Sequence, residues 1–204
     1  MVKVKICGIT NLEDAAYAAY AGADALGFVF YKKSPRYIKP QKAKSIISHL
    51  PKSIKKVGVF VNARERTIRM ITRYLGLDML QFHGNESKDF CGRFRDYKVI
   101  KAFRVKDRID FVDLFKYDVW AYLFDTFAKN KFGGTGRRFN WGVLNCLKNS
   151  KKIIFLSGGL NYHNVRKALK NQPVKWVDAS SSLEKYPGKK EPEKIKKFIK
   201  AIKG

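Results

Sequence analysis

Short apolar runs rich in β-branched and aromatic residues recur about eight times along this chain, each leading into a longer segment whose apolar residues repeat at helical spacing. That alternation is the signature of repeated βα units and a parallel sheet. The runs predict strands over Val2 to Ile9, Ala25 to Phe30, Val57 to Val61, Met79 to Phe82, Val99 to Phe103, Trp120 to Phe124, Ile153 to Leu156 and Val174 to Val177. Between the first of these, Thr10-Asn11 reads as a helix cap, Gly22 as a helix stop and Pro40 as a helix start. Helices are expected from Glu65 to Leu75, Glu86 to Phe94 and Trp141 to Leu147. A last covering helix is expected from Lys189 to Lys203, with Ile195, Phe198, Ile199 and Ile202 on one stripe. A chain of 204 residues is just over the minimum for a closed barrel, and closure removes both sheet edges. The expected fold is therefore a single-domain (β/α)₈ TIM barrel over residues 1–204, with an open doubly wound sheet as the alternative.

Composition narrows the function classes. A hydrophobic content of 45% fits a globular chain. The first strand begins at once, with no basic leader, long uncharged span or small-residue cleavage site, so neither secretion nor membrane insertion is expected and a cytoplasmic location is. Cys7, Cys91 and Cys146 are odd in number and far apart, which argues against a disulfide framework and against a structural zinc site. A net charge of +26 would draw anionic ligands inward and nucleic acid non-specifically. Much of it lies on lysines such as Lys42, Lys44, Lys167 and Lys170, spread over expected helix faces and read as a solvated surface.

In a barrel of this kind, functional groups sit at the carboxyl ends of the strands. Cys7 ends the first strand, and Gly8 beside it leaves room for a substrate to approach the sulfur; the competing reading is a small buried hydrophobe. Asp125 follows five apolar or aromatic residues, where an unpaired carboxyl would be held protonated and fit to act as a general acid. A loop cap formed with Thr126 stands beside that reading. Three small-residue segments follow strands six, seven and eight: Gly133-Gly134-Thr135-Gly136, Ser157-Gly158-Gly159-Leu160 and Ser180-Ser181-Ser182. Together their amides and hydroxyls supply the parts of a phosphate cradle. Arg36, in Ser34-Pro35-Arg36-Tyr37, could fork onto a carboxylate or belong to an exposed basic loop. His83 reads as a structural histidine.

Taken in order, Lys5-Ile6-Cys7-Gly8-Ile9-Thr10, Ser34-Pro35-Arg36-Tyr37-Ile38, Gln81-Phe82-His83-Gly84, Phe124-Asp125-Thr126, Gly133-Gly134-Thr135-Gly136 and Leu156-Ser157-Gly158-Gly159-Leu160 resemble the phosphoribosylanthranilate isomerase family of tryptophan biosynthesis. The resemblance runs through nearly the whole chain. It implies an Amadori rearrangement of N-(5-phosphoribosyl)anthranilate by acid–base catalysis, without cofactor or metal. It further implies Asp125 as the acid that opens the ribose ring and Cys7, as thiolate, as the base at C2′. Arg36 matches the residue that holds the anthranilate carboxylate, and Asp178 falls near the substrate. Gly134, Gly136, Gly158, Gly159, Ser180 and Ser181 would bind the phosphate. The family usually reads serine-serine-glycine where this chain has Ser180-Ser181-Ser182, so strain follows at Ser182 if that position needs φ > 0. Phe82, where leucine is common, is expected to be a packing change only.

Two rivals are weighed. The related isomerase of histidine biosynthesis acts on a substrate with two phosphates and should carry a second cradle in the first half; Asn62-Ala63-Arg64 and His83-Gly84-Asn85 offer no paired glycines there. A nucleic-acid-binding barrel would need aromatics interleaved with a basic stripe. The aromatics here fall within strand and helix periods instead. The expected partner is a small phosphorylated molecule, with no specific nucleic acid and no membrane, for a monomer or homodimer.

Overall fold

Parallel strands β1 to β8 pair in sequence order and the last closes on the first, so the sheet is a barrel and the open alternative is excluded. The computed structural model describes residues 1–105, 111–126 and 139–204. The strands are β1 (Lys3–Cys7), β2 (Ala25–Val29), β3 (Lys55–Phe60), β4 (Met79–Phe82), β5 (Lys98–Val105), β6 (Ala121–Thr126), β7 (Ile153–Leu156) and β8 (Trp176–Ala179). Around them lie α1 (Leu12–Tyr20), α2 (Pro40–Ile47), α3 (Glu65–Leu75), α4 (Lys88–Gly92), α5 (Phe111–Leu114), α6 (Val165–Leu169) and α7 (Pro192–Lys203). Short 3₁₀ turns occupy Trp141–Leu147 and Ser181–Leu183.

Strand side chains alternate between two cores, as period two requires. Ala25, Val57, Met79, Ile100, Ala102, Ala121, Leu123, Phe155 and Trp176 fill the lumen. The intervening residues, such as Val4, Ile6, Leu26, Phe28, Leu80, Phe82, Tyr122 and Phe124, pack outward against the helices. Phe82 makes edge contacts to Phe90 and Phe94 at ring separations of 5.7 and 5.1 Å, in keeping with a packing role. The cap expected at Asn11 is present, its side chain accepting from Asp14 N at 2.9 Å.

The chain end differs from the expectation of one helix from Lys189. A hairpin, β9 (Glu184–Tyr186) and β10 (Lys189–Lys190), comes first, and α7 starts at Pro192. Gly188 makes the turn with φ +88°, and Pro192 at the first helical turn sets the true start. Strand boundaries also move: β1 stops at Cys7 rather than Ile9, and β8 runs Trp176–Ala179 rather than Val174 to Val177.

Candidate active site

Parity along the strands decides which residues reach the mouth. Cys7 shares the inward side of β1 with Lys5; Gln81 shares that of β4 with Met79; Asp125 follows Leu123, Ser157 follows Phe155, and Asp178 follows Trp176. These inward residues at the carboxyl ends line one cavity together with Arg36, His83 and Ser180. A smaller cup adjoins it, sharing Asp125, Ser157, Asp178 and Ser180 and adding Gly158, Gly159, Ser181 and Ser182. Of the residues expected from sequence, Cys7, Asp125, Arg36, Asp178, Gly158, Gly159, Ser180 and Ser181 are thus brought together. Gly134 and Gly136 lie outside the described residues.

Cys7 packs among Val29, Val59 and Tyr31 and is 8% exposed. Burial pushes its thiol up, the Lys5 ammonium pulls it down and Asp178 pushes it up again, leaving it above the ordinary thiol value. Asp125 is not the unpaired carboxyl expected from its apolar approach. Its Oδ1 accepts from Thr126 N at 2.8 Å, and its Oδ2 faces His83 Nε2 at 3.3 Å. The cap with Thr126 is thus present, and the carboxyl also lines the cavity. His83 Nδ1 receives the Gln81 amide at 2.8 Å, so with the amide so oriented the ring proton belongs on Nε2, the nitrogen turned toward Asp125.

Arg36 does fork onto a carboxylate, but the carboxylate is the chain's own Glu184. Nε and Nη2 donate to Glu184 Oε1 and Oε2 at 2.8 and 2.6 Å. Buried Lys190 donates to the same Oε1 at 2.9 Å. Burial alone would raise the Glu184 pKa; the two cations outweigh it and hold the carboxyl below its usual range. This clamp fixes the guanidinium at the cavity wall while the fork uses only two of its nitrogens.

The cup is built largely from backbone. Gly158 and Gly159 have φ of +86° and +65°, and a Cβ at Gly158 would collide with Thr126. Ser182 carries no strain of this kind: among the described residues, the non-glycine positions with positive φ are Asn62 and Asn171. It sits in the 3₁₀ turn, and its hydroxyl donates to Leu160 O, tying the loop after β8 to the loop after β7. Ser180 Oγ donates to Cys7 O at 3.0 Å, which joins the cup to the β1 end.

Lys5, Glu184 and Lys190 were missed as candidates, and His83 was discounted. A lysine two residues before Cys7 inside an apolar run was the available signal for Lys5. Glu184 and Lys190 carried none, because their partners are distant in sequence.

Comparison with known proteins agrees with this geometry. Residues 4–201 match the family described as N-(5'phosphoribosyl)anthranilate (PRA) isomerase. The chain is 48% identical over 204 residues to the N-(5'-phosphoribosyl)anthranilate isomerase of Geotalea uraniireducens, covering 100% of both. It is 43% identical to that of Thermotoga neapolitana over 205 residues, again covering 100% of both. The crystal structure of phosphoribosyl anthranilate isomerase from Thermotoga maritima superposes with a TM-score of 0.93 at 42% identity, covering 100% of each chain. A second structure of such an isomerase, in complex with reduced 1-(o-carboxyphenylamino)-1-deoxyribulose 5-phosphate, superposes with a TM-score of 0.90 at 41% identity, covering 100% of each. This chain, with its inward-facing thiol, carboxylates and glycine-walled cup, belongs to the N-(5'-phosphoribosyl)anthranilate isomerase family.

Proposed function

We propose that residues 1–204 form a single catalytic domain in which Asp125 and Cys7 are the acid and base of the Amadori rearrangement of N-(5-phosphoribosyl)anthranilate to 1-(2-carboxyphenylamino)-1-deoxyribulose 5-phosphate. One observation carries the assignment: thiol and carboxylate line the same cavity, next to a cup of backbone and hydroxyls. Asp125 protonates the furanose oxygen, the C1′–O bond opens and an iminium forms at C1′. The Cys7 thiolate then takes the C2′ proton, the C–H electrons quench the iminium, and the enolamine tautomerises to the ketose. His83 stands beside that carboxyl, its Nε2 3.3 Å from Asp125 Oδ2. Arg36, steadied by Glu184, receives the anthranilate carboxylate, and Asp178 lies beside the ribose. Gly158, Gly159, Ser180 and Ser181, with Gly134 and Gly136, hold the phosphate.

A substrate with a second phosphate finds its place taken. Across the barrel from the cup, the amides of Asn62 and Gly84 donate to Glu86 at 2.8 and 2.9 Å, so an internal carboxylate already occupies the donors that a second cradle would use. Among the described residues no helix is long and apolar enough to cross a membrane. The biosynthetic role supports a cytoplasmic location. One Thermotoga maritima structure is described as monomers generated from a dimeric enzyme, and we take monomer or homodimer as the form here.

The test follows loss of substrate fluorescence with wild type, Cys7→Ser and Asp125→Asn. Each variant should lose kcat by about 10²- to 10⁴-fold with KM little changed, as for groups that act in the transition state. Near-normal turnover in Cys7→Ser would remove it as the base.

A further inference from the structure

A lysine in the lumen of a barrel is out of place unless something there needs its charge. Lys5 is fully buried, with 0% exposure, one inward step below Cys7 on β1. Its Nζ donates to Asp178 Oδ1 at 2.9 Å, across the β1–β8 pairing in which Lys5 and Asp178 are register partners. On the other side β2 offers no side chain, because Cys7 is aligned with Gly27. A Cβ at Gly27 would lie 2.8 Å from Cys7 Sγ and 3.1 Å from Lys5 Nζ, so sulfur and ammonium converge on the same bare stretch of β2. Desolvation makes such a charge costly and also makes its field strong, since little water screens it.

We propose that Lys5 is a positioning residue for the rearrangement that acts through Cys7: its ammonium stabilises the thiolate from below, and Asp178 is the counterweight that sets how much of that charge the sulfur feels. The inference rests on the reading of Cys7 as the base. The other groups facing the sulfur do not replace Lys5. Lys190, from β10, is committed to Glu184 at 2.9 Å and to Ser180 O at 3.2 Å. Arg36 is forked onto the same Glu184. Asp125 and His83 are paired with each other at 3.3 Å on the cavity wall, and Tyr31 packs on the sulfur from the loop after β2. Burial lowers the Lys5 pKa, but Asp178 and Cys7 raise it further, so the ammonium persists and supplies a standing positive charge.

The test reads the thiolate itself, apart from turnover. In a Cys146→Ser background, which removes the exposed thiol, the rate of iodoacetamide labelling at Cys7, which lines the cavity, is followed against pH by peptide mass spectrometry, which separates it from Cys91. Lys5→Met should move the labelling midpoint up by at least about one pH unit, a roughly tenfold loss of thiolate at any pH well below it. Asp178→Asn should move it down. Opposite signs are what a charge balance produces and what loosened packing does not. Should Lys5→Met fail to fold around an unpaired Asp178, Lys5→Met/Asp178→Asn compared with Asp178→Asn isolates the lysine, and its midpoint must lie higher. Equal midpoints with and without Lys5, or shifts of one sign in both single variants, overturn the proposal. Failure of Cys7 as the base would instead show as normal turnover in Cys7→Ser, whatever the labelling profile.

Discussion

Glu184 holds two cations whose fates differ when it is lost. Arg36 is partly exposed and can turn to water, whereas Lys190 is 1% exposed and would be stranded. Breaking a buried pair by removing one partner costs about 3–5 kcal/mol, and Glu184→Ala should lose that much in denaturant unfolding, with a raised KM as Arg36 loses its brace. Glu184→Gln, which keeps the shape, should lose less. Because the folded-state carboxyl sits below its ordinary value, its contribution is complete above the unfolded Glu value of about 4.3 and fades as pH falls through the lower folded value. The stability gap between wild type and Glu184→Gln should therefore narrow in acid; a gap that widens there would contradict the pairing. Residues were legible in the sequence where strand position alone defined them, as for Cys7 and Asp125, whereas Asp178 came only with the family resemblance because the expected eighth strand stopped at Val177. Glu184 was not, since Arg36 lies 148 residues away and only closure of the barrel brings them together.

Elements were legible wherever one period ran unbroken between two punctuating residues. α3 and β4 fall where the sequence places them, with Gly76 ending α3 in the left-handed conformation at φ +62°. Of the β9–β10 hairpin, β10 was absorbed into the expected last helix and β9 was given no element, because the two strands are too short to display a period of their own and are rich in lysine. Its turn is nevertheless well tied. Thr10 Oγ1 donates to Gly188 O at 2.5 Å, Gly188 N donates to Glu184 Oε1 at 3.3 Å, and a Cβ there would come within 3.4 Å of Pro35 O, next to Arg36. Gly188→Ala must adopt a left-handed φ at a cost of about 1–2 kcal/mol. It should lower stability by that amount and raise KM more than it lowers kcat, since the hairpin carries Lys190 and braces Glu184. Steady-state kinetics beside thermal unfolding measures both.

Across the whole molecule, Lys42, Lys44, Lys167 and Lys170 are exposed, as the solvated-surface reading of the +26 charge expects. The substrate proposed here bears a carboxylate and a phosphate, so this surface should speed encounter without touching chemistry. Raising ionic strength from about 0.01 M to about 1 M shortens the Debye length from roughly 30 to 3 Å; kcat/KM should fall across that range while kcat stays nearly level. A flat kcat/KM would make the charge irrelevant to capture. The barrel itself was legible from the number of βα units. The lumen's ionic content was not, because a lysine inside an apolar run signals a buried charge without naming its partner, and Asp178 lies 173 residues from Lys5.

Glu86 gives the molecule's selectivity an unusual guardian. The same side chain that caps Asn62 and Gly84 also receives buried Lys101 at 2.8 Å. Its removal would leave two amides without their acceptor and Lys101 with only Gly84 O, across the barrel from the cup. Under the proposed function, a sugar bearing a second phosphate is thus opposed from inside the fold, by a carboxylate that lodges permanently where that phosphate would need donors.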